Sequence, residues 1–381
     1  MADIYKTADG YGFRASMGKD PVTGRYIQKR FSGYTSKTQA RQEKKRIELE
    51  VKQGTYLVDQ DITLGDFLKE WLNHKGKHVT EGTMSHYRPY INKHLIPYLG
   101  HVEIGKLKPS HIQQLYDYYV EEELLTNQSI KHMHRVLHNA YNTAIKWEYV
   151  AKNPCLGATP PAPEKRMMQT WDEVDIETFL EENKEHRLYT FYLLSLSTGM
   201  RKGELLGLTW NNIDFTNNML AVTQAIRKKK GGGYEIGKVK TKHAERTISL
   251  FDHVNEALKK HKREQMAYKM SNRQSYKDAD LVFATSNGTH FNPHNIQRYW
   301  MKSLEESAVK TIRFHDMRHT HATLLLKMGV HPKVVQERLG HSSITVTLDL
   351  YSHVMPNIQK EAATDFGEKI FGHAKTKNDS L

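Results

Sequence analysis

The sequence predicts a multidomain, mainly helical protein with a small α+β unit at its N-terminus. Three observations predict it. Apolar residues alternate along the first stretch, where Phe13, Ala15 and Met17 share one side, but recur at helical spacing over most of the remaining chain. A proline-rich run, Thr159-Pro-Pro-Ala-Pro-Glu-Lys-Arg166, divides the chain. Beyond it, one basic strand-like section interrupts a helical background. The expected domains are 1–60, 63–155 and 171–381, with a linker at 156–170.

In the first block, 11–17 reads as a strand, Pro21-Val-Thr-Gly24 as a turn and 25–31 as the returning strand. Ser36 can cap a charged helix over 40–52 in which Ile47 and Val51 are four apart. A three-stranded sheet on one helix fits. The block holds 12 basic and 7 acidic residues, an excess of +5. In the second block Thr63 and Asp66 suit a helix start, and Leu64, Phe67, Leu68, Trp71 and Leu72 make an apolar stripe. Helical stretches continue over 80–96, stopped near Pro97, then 109–124 and 126–147, so a bundle of about four helices is expected. The third block is helical except for 220–226 and 246–250, read as strands either side of a basic turn with Gly231-Gly-Gly233 at its tip. A last helix is expected over 358–371, where Ile358, Ala362, Phe366 and Ile370 recur every four residues, before a frayed tail at 375–381.

Composition excludes several classes. Among 381 residues, 56 Lys and Arg against 43 Asp and Glu leave a net charge of +13, which favours a polyanionic partner. One cysteine, Cys155, permits neither an internal disulfide framework nor a zinc site of cysteines alone. No apolar run approaches the ~20 residues that span a bilayer, and the first residues lack a signal-peptide core. A soluble cytoplasmic protein with no membrane partner is expected.

Cleaving a DNA strand by transesterification requires a nucleophile, cations for the charge that builds on phosphorus oxygens, and a proton for the 5′ oxygen that leaves. Arginine suits the second task because its planar fork makes paired bonds to phosphate. Arg201 lies after Gly199, a natural helix break, with Glu204 one turn on to orient it. The section 227–246 carries eight basic residues, among them Lys238, Lys240 and Lys242, opposed only by Glu235 and Glu245. His315 and Arg318 are three apart, on one helical face. His341 sits at a helix start with Ser342 or Ser343 as its cap, and Tyr351 comes ten residues later. His315, His319 and His321 raise a metal question, but no HExxH or CxxC spacing supports one.

Together these segments resemble the catalytic domain of tyrosine recombinases, the phage-type integrases. The likeness rests on TGMRKGELLGLTW at 198–210, VKTKHAERTISL at 239–250, HDMRHTHATLLL at 315–326 and LGHSSITVTLDLYSHV at 339–354, in that order. It is nearest to integrases of Gram-positive phages and integrative conjugative elements, in domain layout and in the LDxYSH ending. The resemblance implies a tyrosine recombinase fold: an arm-type DNA-binding domain, a helical core-site-binding domain and a mainly α catalytic domain with a small sheet.

By this resemblance Tyr351 is the nucleophile, Arg201 and Arg318 hold the scissile phosphate, and Glu204 braces Arg201. His315 and His341 bond the phosphate, with His315 also able to take the tyrosine proton. Lys240 is the general acid, with Lys242 an open alternative. Lys238 and Lys242 are expected on DNA, as are Arg14, Arg25, Lys29 and Arg30 of the N-terminal unit. The implied partner is double-stranded DNA with core and arm attachment sites, bound by a homotetramer whose C-terminal segment docks on a neighbour. A host DNA-bending protein and an excisionase would assist it in a bacterial, nucleoid-associated setting. No cofactor, metal or ATP is expected. The implied activity is integration and excision of viral or other mobile DNA through a 3′-phosphotyrosyl intermediate and a Holliday junction. Relaxation of DNA in the manner of a type IB topoisomerase and non-catalytic architectural binding are the alternatives. A metal-dependent nuclease would need carboxylates among the histidines, and only Asp316 lies there.

Overall fold

A computed structural model describes residues 4–19, 23–52, 62–164, 168–239 and 241–348, with 364, 366–367 and 370 beyond them. Lys240 and Tyr351 lie outside the described residues, and so does the side chain of Lys242. Of the expected C-terminal stripe, Ile358 and Ala362 also lie outside, while Phe366 and Ile370 are helical and exposed. The chain forms two compact units, Met1–Lys165 and Arg166–Leu381.

In the first unit, β1 (Ile4–Thr7), β2 (Gly10–Lys19) and β3 (Tyr26–Tyr34) form an antiparallel sheet in that order, and α1 (Lys37–Lys52) covers one face. Phe13 and Ala15 of β2 are buried with Ile4 and with Ala40 and Ile47 of α1. Phe13 stacks on Phe31 at 5.0 Å. Alternation sends Arg14 to the other face, where it lies opposite Arg30, and both are exposed. Lys29 lies opposite Ala15, on the helix-covered face, half-buried with its Nζ 6.0 Å from the Phe31 ring. Arg25 is exposed just before β3. The four expected DNA contacts therefore do not share one surface.

The helical part comprises α2 (Leu64–Lys75), α3 (Glu81–Pro89), α4 (Ile96–Leu99), α5 (Pro109–Glu121) and α6 (Asn127–Lys146). Thr63 accepts the Asp66 N–H and Thr126 that of Ser129, so hydroxyl caps start two of these helices. Proline does not stop the chain at 97. A π-helical stretch over Tyr90–Leu95 leads straight into α4, with Ile96 N–H donating to Ile91 O. The wider turn tolerates the N–H that Pro97 lacks, and the helix ends at Gly100. Trp71 is buried and donates to Thr143 Oγ1 at 3.0 Å. The stretch expected to begin a linker is fastened to this bundle: Ala158 is buried in its core, and Thr159 N–H donates to Gln113 Oε1 at 3.0 Å.

The second unit opens with Trp171, buried against Phe179 and Trp300. Its elements are α7 (Glu173–Glu182), α8 (Tyr189–Thr198), α9 (Lys202–Leu206), β4 (Ile213–Asp214), β5 (Met219–Val222), β6 (Gln224–Lys228), β7 (Tyr234–Lys238), β8 (Arg246–Ser249), α10 (Asp252–Ser271), α11 (Pro293–Glu305), α12 (Asp316–Lys327), α13 (Pro332–Leu339) and a short α14 over 344–348. Helix α8 is buried nearly all round, at the centre of the core.

The strand expected over 220–226 is two strands. β5 pairs with β4 and β8, whereas β6 pairs with β7 in a separate hairpin. Glycines within α9 and at its C-terminal cap explain the split. A Cβ at Gly207 would lie 2.9 Å from Ala225 Cα, and one at Gly203 would lie 3.1 Å from Ile226 O. This bare helix surface accepts the β6 backbone, and Gln224 Nε2 donates to Gly207 O at 2.8 Å. Strand β7 ends at Lys238, and Lys242–Ala244 form a 3-10 turn, so part of the section expected as a turn is a strand and Lys242 lies beyond it.

Candidate active site

Helix α8 ends at Gly199, whose φ of +64° is open to glycine at little cost. A Cβ there would come within 2.5 Å of Leu339 Cδ2 and 2.8 Å of His321 Cδ2. The break turns the chain so that Arg201 becomes the first cap of α9, with extended φ and ψ of −70° and 148°. Glu204 closes the cap. It accepts the Arg201 backbone N–H at 2.9 Å through Oε2 and the guanidinium Nη1 at 2.7 Å through Oε1. The other fork nitrogen, Nη2, donates to Gly340 O at 3.1 Å. The Arg201 side chain is 39% exposed and Glu204 4%, so the cation looks outward from a buried anion.

Arg318 stands in the first turn of α12 and is 3% exposed. Its Nη1 donates to Gly199 O and its Nη2 to Leu339 O, both at 2.7 Å. These carbonyls belong to two helix ends, the C-termini of α8 and α13, where backbone acceptors lack intrahelical donors. Burial, then the charge on Arg201, pulls the Arg318 guanidinium down to about 9. The opposite charge of an incoming anion would offset both effects.

His315 precedes α12, and its ring meets that of His319 edge-on at 4.9 Å. Burial, followed by the charges of His319 and Arg318, lowers it to about 4. His341 comes directly after Gly340, whose φ is +67°. One ring nitrogen, Nδ1, lies 3.0 Å from Thr347 Oγ1 in α14. Burial, then Arg318 and Arg201, lowers His341 to about 3. Both imidazoles are therefore neutral at pH 7, so each has one nitrogen able to accept a proton and one able to donate. Ser343 accepts the Thr345 N–H at 3.2 Å and so caps the next helix.

Arg201, Arg318, His315 and His341 are thus gathered from three separate segments. Lys238 is exposed at the end of β7, outside this cluster's hydrogen bonds. Among the described residues no group of three or more His, Cys, Asp or Glu is placed to hold a metal ion. The sequence reading missed Arg246, counted there only within a basic run. Its Nη2 donates to Glu204 Oε2 at 2.8 Å, and its side chain is 6% exposed. It also missed Arg338, whose Nε donates to His321 Nε2 at 3.1 Å. Neither has a local signal, because their partners are distant in sequence.

Residues 165–357 match the model of the phage integrase family, and 63–119 match that of the phage integrase N-terminal SAM-like domain. A XerC-like tyrosine recombinase of Caldanaerobacter subterraneus subsp. tengcongensis is 33% identical over 95% of this chain and 96% of its own length. The ICEBs1 integrase of Bacillus subtilis is 26% identical over 93% of this chain and 95% of its own. Among solved structures, the Tn1549 transposon integrase in complex with transposon right end DNA aligns with a TM-score of 0.66 at 26% identity, covering 81% of this chain and 99% of that one. A lambda integrase tetramer bound to a Holliday junction shares the fold, with a TM-score of 0.56 at 18% identity over 92% of this chain and 94% of that one.

Proposed function

The chain belongs to the phage integrase family of tyrosine recombinases, and we propose that Tyr351 is the nucleophile with which it recombines DNA. It is a site-specific recombinase of mobile DNA, and it cuts and rejoins strands. The observation that supports the residue assignments is the convergence of Arg201, held on Gly340 O, and Arg318, held on Gly199 O and Leu339 O, beside two neutral histidines.

In the proposed reaction the Tyr351 oxygen attacks phosphorus as its proton passes to His315, whose depressed basicity recovers once the anionic phosphate is beside it. Arg201 and Arg318 hold the non-bridging oxygens, and His341 donates a further hydrogen bond. The phosphorus–5′-oxygen bond breaks, and Lys240, or Lys242 in its place, protonates the leaving oxygen. The 3′-phosphotyrosyl link keeps one phosphodiester-like bond for the one broken, so rejoining needs no ATP. The arginine pair supplies the charge neutralisation that a metal would supply elsewhere.

Four strands are cut in two duplexes and each tyrosine makes one bond, so four protomers act through a Holliday junction, with the C-terminal segment as the element that docks on a neighbour. The N-terminal sheet binds arm sites and the helical bundle clamps core sites. The opposed Arg14 and Arg30 support this: like charges set across a strand pair repel, and a phosphate backbone relieves them. The setting is the cytoplasm of a bacterial host, with DNA-bending protein and excisionase as accessory partners. Architectural binding gives no reason for two histidines beside two arginines, and relaxation alone, which would use the same chemistry, is not favoured by the likeness to integrases and recombinases.

Tyr351→Phe keeps the ring but lacks the attacking oxygen. It is expected to bind a nicked suicide substrate with unchanged affinity and to trap no covalent complex; a normal adduct yield overturns the assignment. A 5′-bridging phosphorothiolate leaves without a proton, so it should restore cleavage by Lys240→Ala. Rescue of Lys242→Ala instead transfers the role to Lys242.

A further inference from the structure

The mechanism above leaves Arg246, a buried cation beside the site, without a task. Arg246 opens β8, two residues after the 3-10 turn closes at Ala244, and its side chain is 6% exposed. A guanidinium withdrawn from water is costly unless its N–H groups are matched. Those of Arg246 are matched on three segments. Nε donates to Arg338 O at 2.7 Å, Nη1 to Ala244 O at 3.0 Å and Nη2 to Glu204 Oε2 at 2.8 Å.

Each acceptor belongs to a segment with a proposed catalytic duty. Ala244 closes the 3-10 turn next to the lysine candidates. Arg338 lies two residues before Gly340, whose carbonyl holds Arg201, and three before His341. Glu204 braces Arg201 itself. The approach at Gly340 is so close that a Cβ there would lie 3.1 Å from both Cδ and Nη1 of Arg246.

Charge gives a second reason for this arrangement. Glu204 is buried, and were Arg201 its sole counter-ion, the pair would sum to zero. The carboxylate would then compete with phosphate for the Arg201 fork. Arg246 makes the group a triad of net +1, and its exposed member is Arg201.

We infer that Arg246 is a positioning residue for strand cleavage: it neutralises Glu204 so that Arg201 keeps its charge for the phosphate, and it ties the lysine turn to the His341 segment. It acts without touching DNA. The inference rests on the assignment of Arg201 to the phosphate.

The test uses the full chain on the nicked suicide substrate, with wild type and Arg201→Lys run alongside. If those two cleave at equal rates, the assignment of Arg201 to the phosphate falls and not the positioning of Glu204 by Arg246. Arg246→Met, measured below its melting temperature, should bind a core site within about threefold of wild type. Its single-turnover cleavage at saturating protein should fall on the order of 10–100-fold, as expected when a reacting group is misplaced by about 1 Å. Arg246→Lys restores the charge but not the three-way fork, so it should fold and cleave at an intermediate rate. In a Glu204→Gln background, which has no carboxylate to neutralise, the loss caused by Arg246→Met should shrink several-fold. Wild-type cleavage by Arg246→Lys overturns the inference. So does a loss carried wholly by weaker binding, or the same fold-loss in both backgrounds. If Arg246→Met fails to fold, the rate and affinity of Arg246→Lys decide.

Discussion

Arg14 and Arg30 face each other across two strands in the open, whereas Arg201, Arg246 and Arg318 crowd round one buried carboxylate. Both arrangements set like charges together. In the sheet, water screens much of the repulsion and a phosphate backbone would relieve the rest, so nothing in the fold is needed to offset it. In the catalytic unit, burial removes the screen, so Glu204 and the carbonyls of Gly199, Ala244, Leu339 and Arg338 must offset it. The contrast teaches what each set can do. Solvated cations add affinity that falls with salt. Cations held by a pre-built shell need no reorganisation when charge develops, so they act on rate.

The largest expected difference is at the buried set. Arg318→Lys loses the fork that spans two helix ends, and its cleavage rate should fall on the order of 100-fold, about 3 kcal/mol, with core-site affinity nearly unchanged. Single-turnover cleavage and a binding titration on the same preparation check this. Equal rates would remove the arginine from the transition state and break the contrast.

A second effect concerns pH and is read on stability rather than on rate. Burial first, and neighbouring cations second, lower His315 to about 4, and His341 and His321 to about 3. An unfolded histidine titrates near 6.5. Below that value the unfolded chain therefore binds more protons than the folded one, and stability falls as pH drops from about 6.5 towards 4. Urea midpoints at pH 7, 6 and 5 should decline, and His321→Gln should flatten the decline. A midpoint that rises on acidification contradicts the neutral histidines.

The smallest effect is at the open pair. Arg14→Ala with Arg30→Ala should weaken arm-site binding and lower its salt dependence by about one unit of log–log slope for each phosphate no longer neutralised. Suicide-substrate cleavage should be unchanged. If cleavage falls while arm binding holds, the division between affinity and rate is wrong.

Legibility in the sequence tracks the range of the forces involved. Thr63 caps a helix through Asp66, three residues away, and the Arg201–Glu204 pair closes within one turn, so spacing alone reveals them. The break at Gly199 is equally local. Pro97 misled because its missing N–H is accommodated by a π turn that no periodicity announces. The division of 220–226 into two strands depends on Gly203 and Gly207, bare surfaces on another element. Arg246 reaches Glu204 across 42 residues and Arg338 O across 92, so nothing in its own neighbourhood marks it off from the other basic residues of its loop. The face occupied by Lys29 was likewise set by cross-strand register with Ala15, not by composition.

The central claim is tested most directly by mapping the covalent link itself. Wild-type protein trapped on a nicked core site would be digested with trypsin and nuclease and the nucleotide-bearing peptide sequenced by mass spectrometry. Cleavage after Arg338 and Lys360 releases 339–360, in which Tyr351 is the sole tyrosine. This peptide is expected to carry the nucleotide on Tyr351 through a 3′ phosphate. A link on another residue, a 5′ linkage, or strand cleavage with no peptide adduct would contradict the assignment.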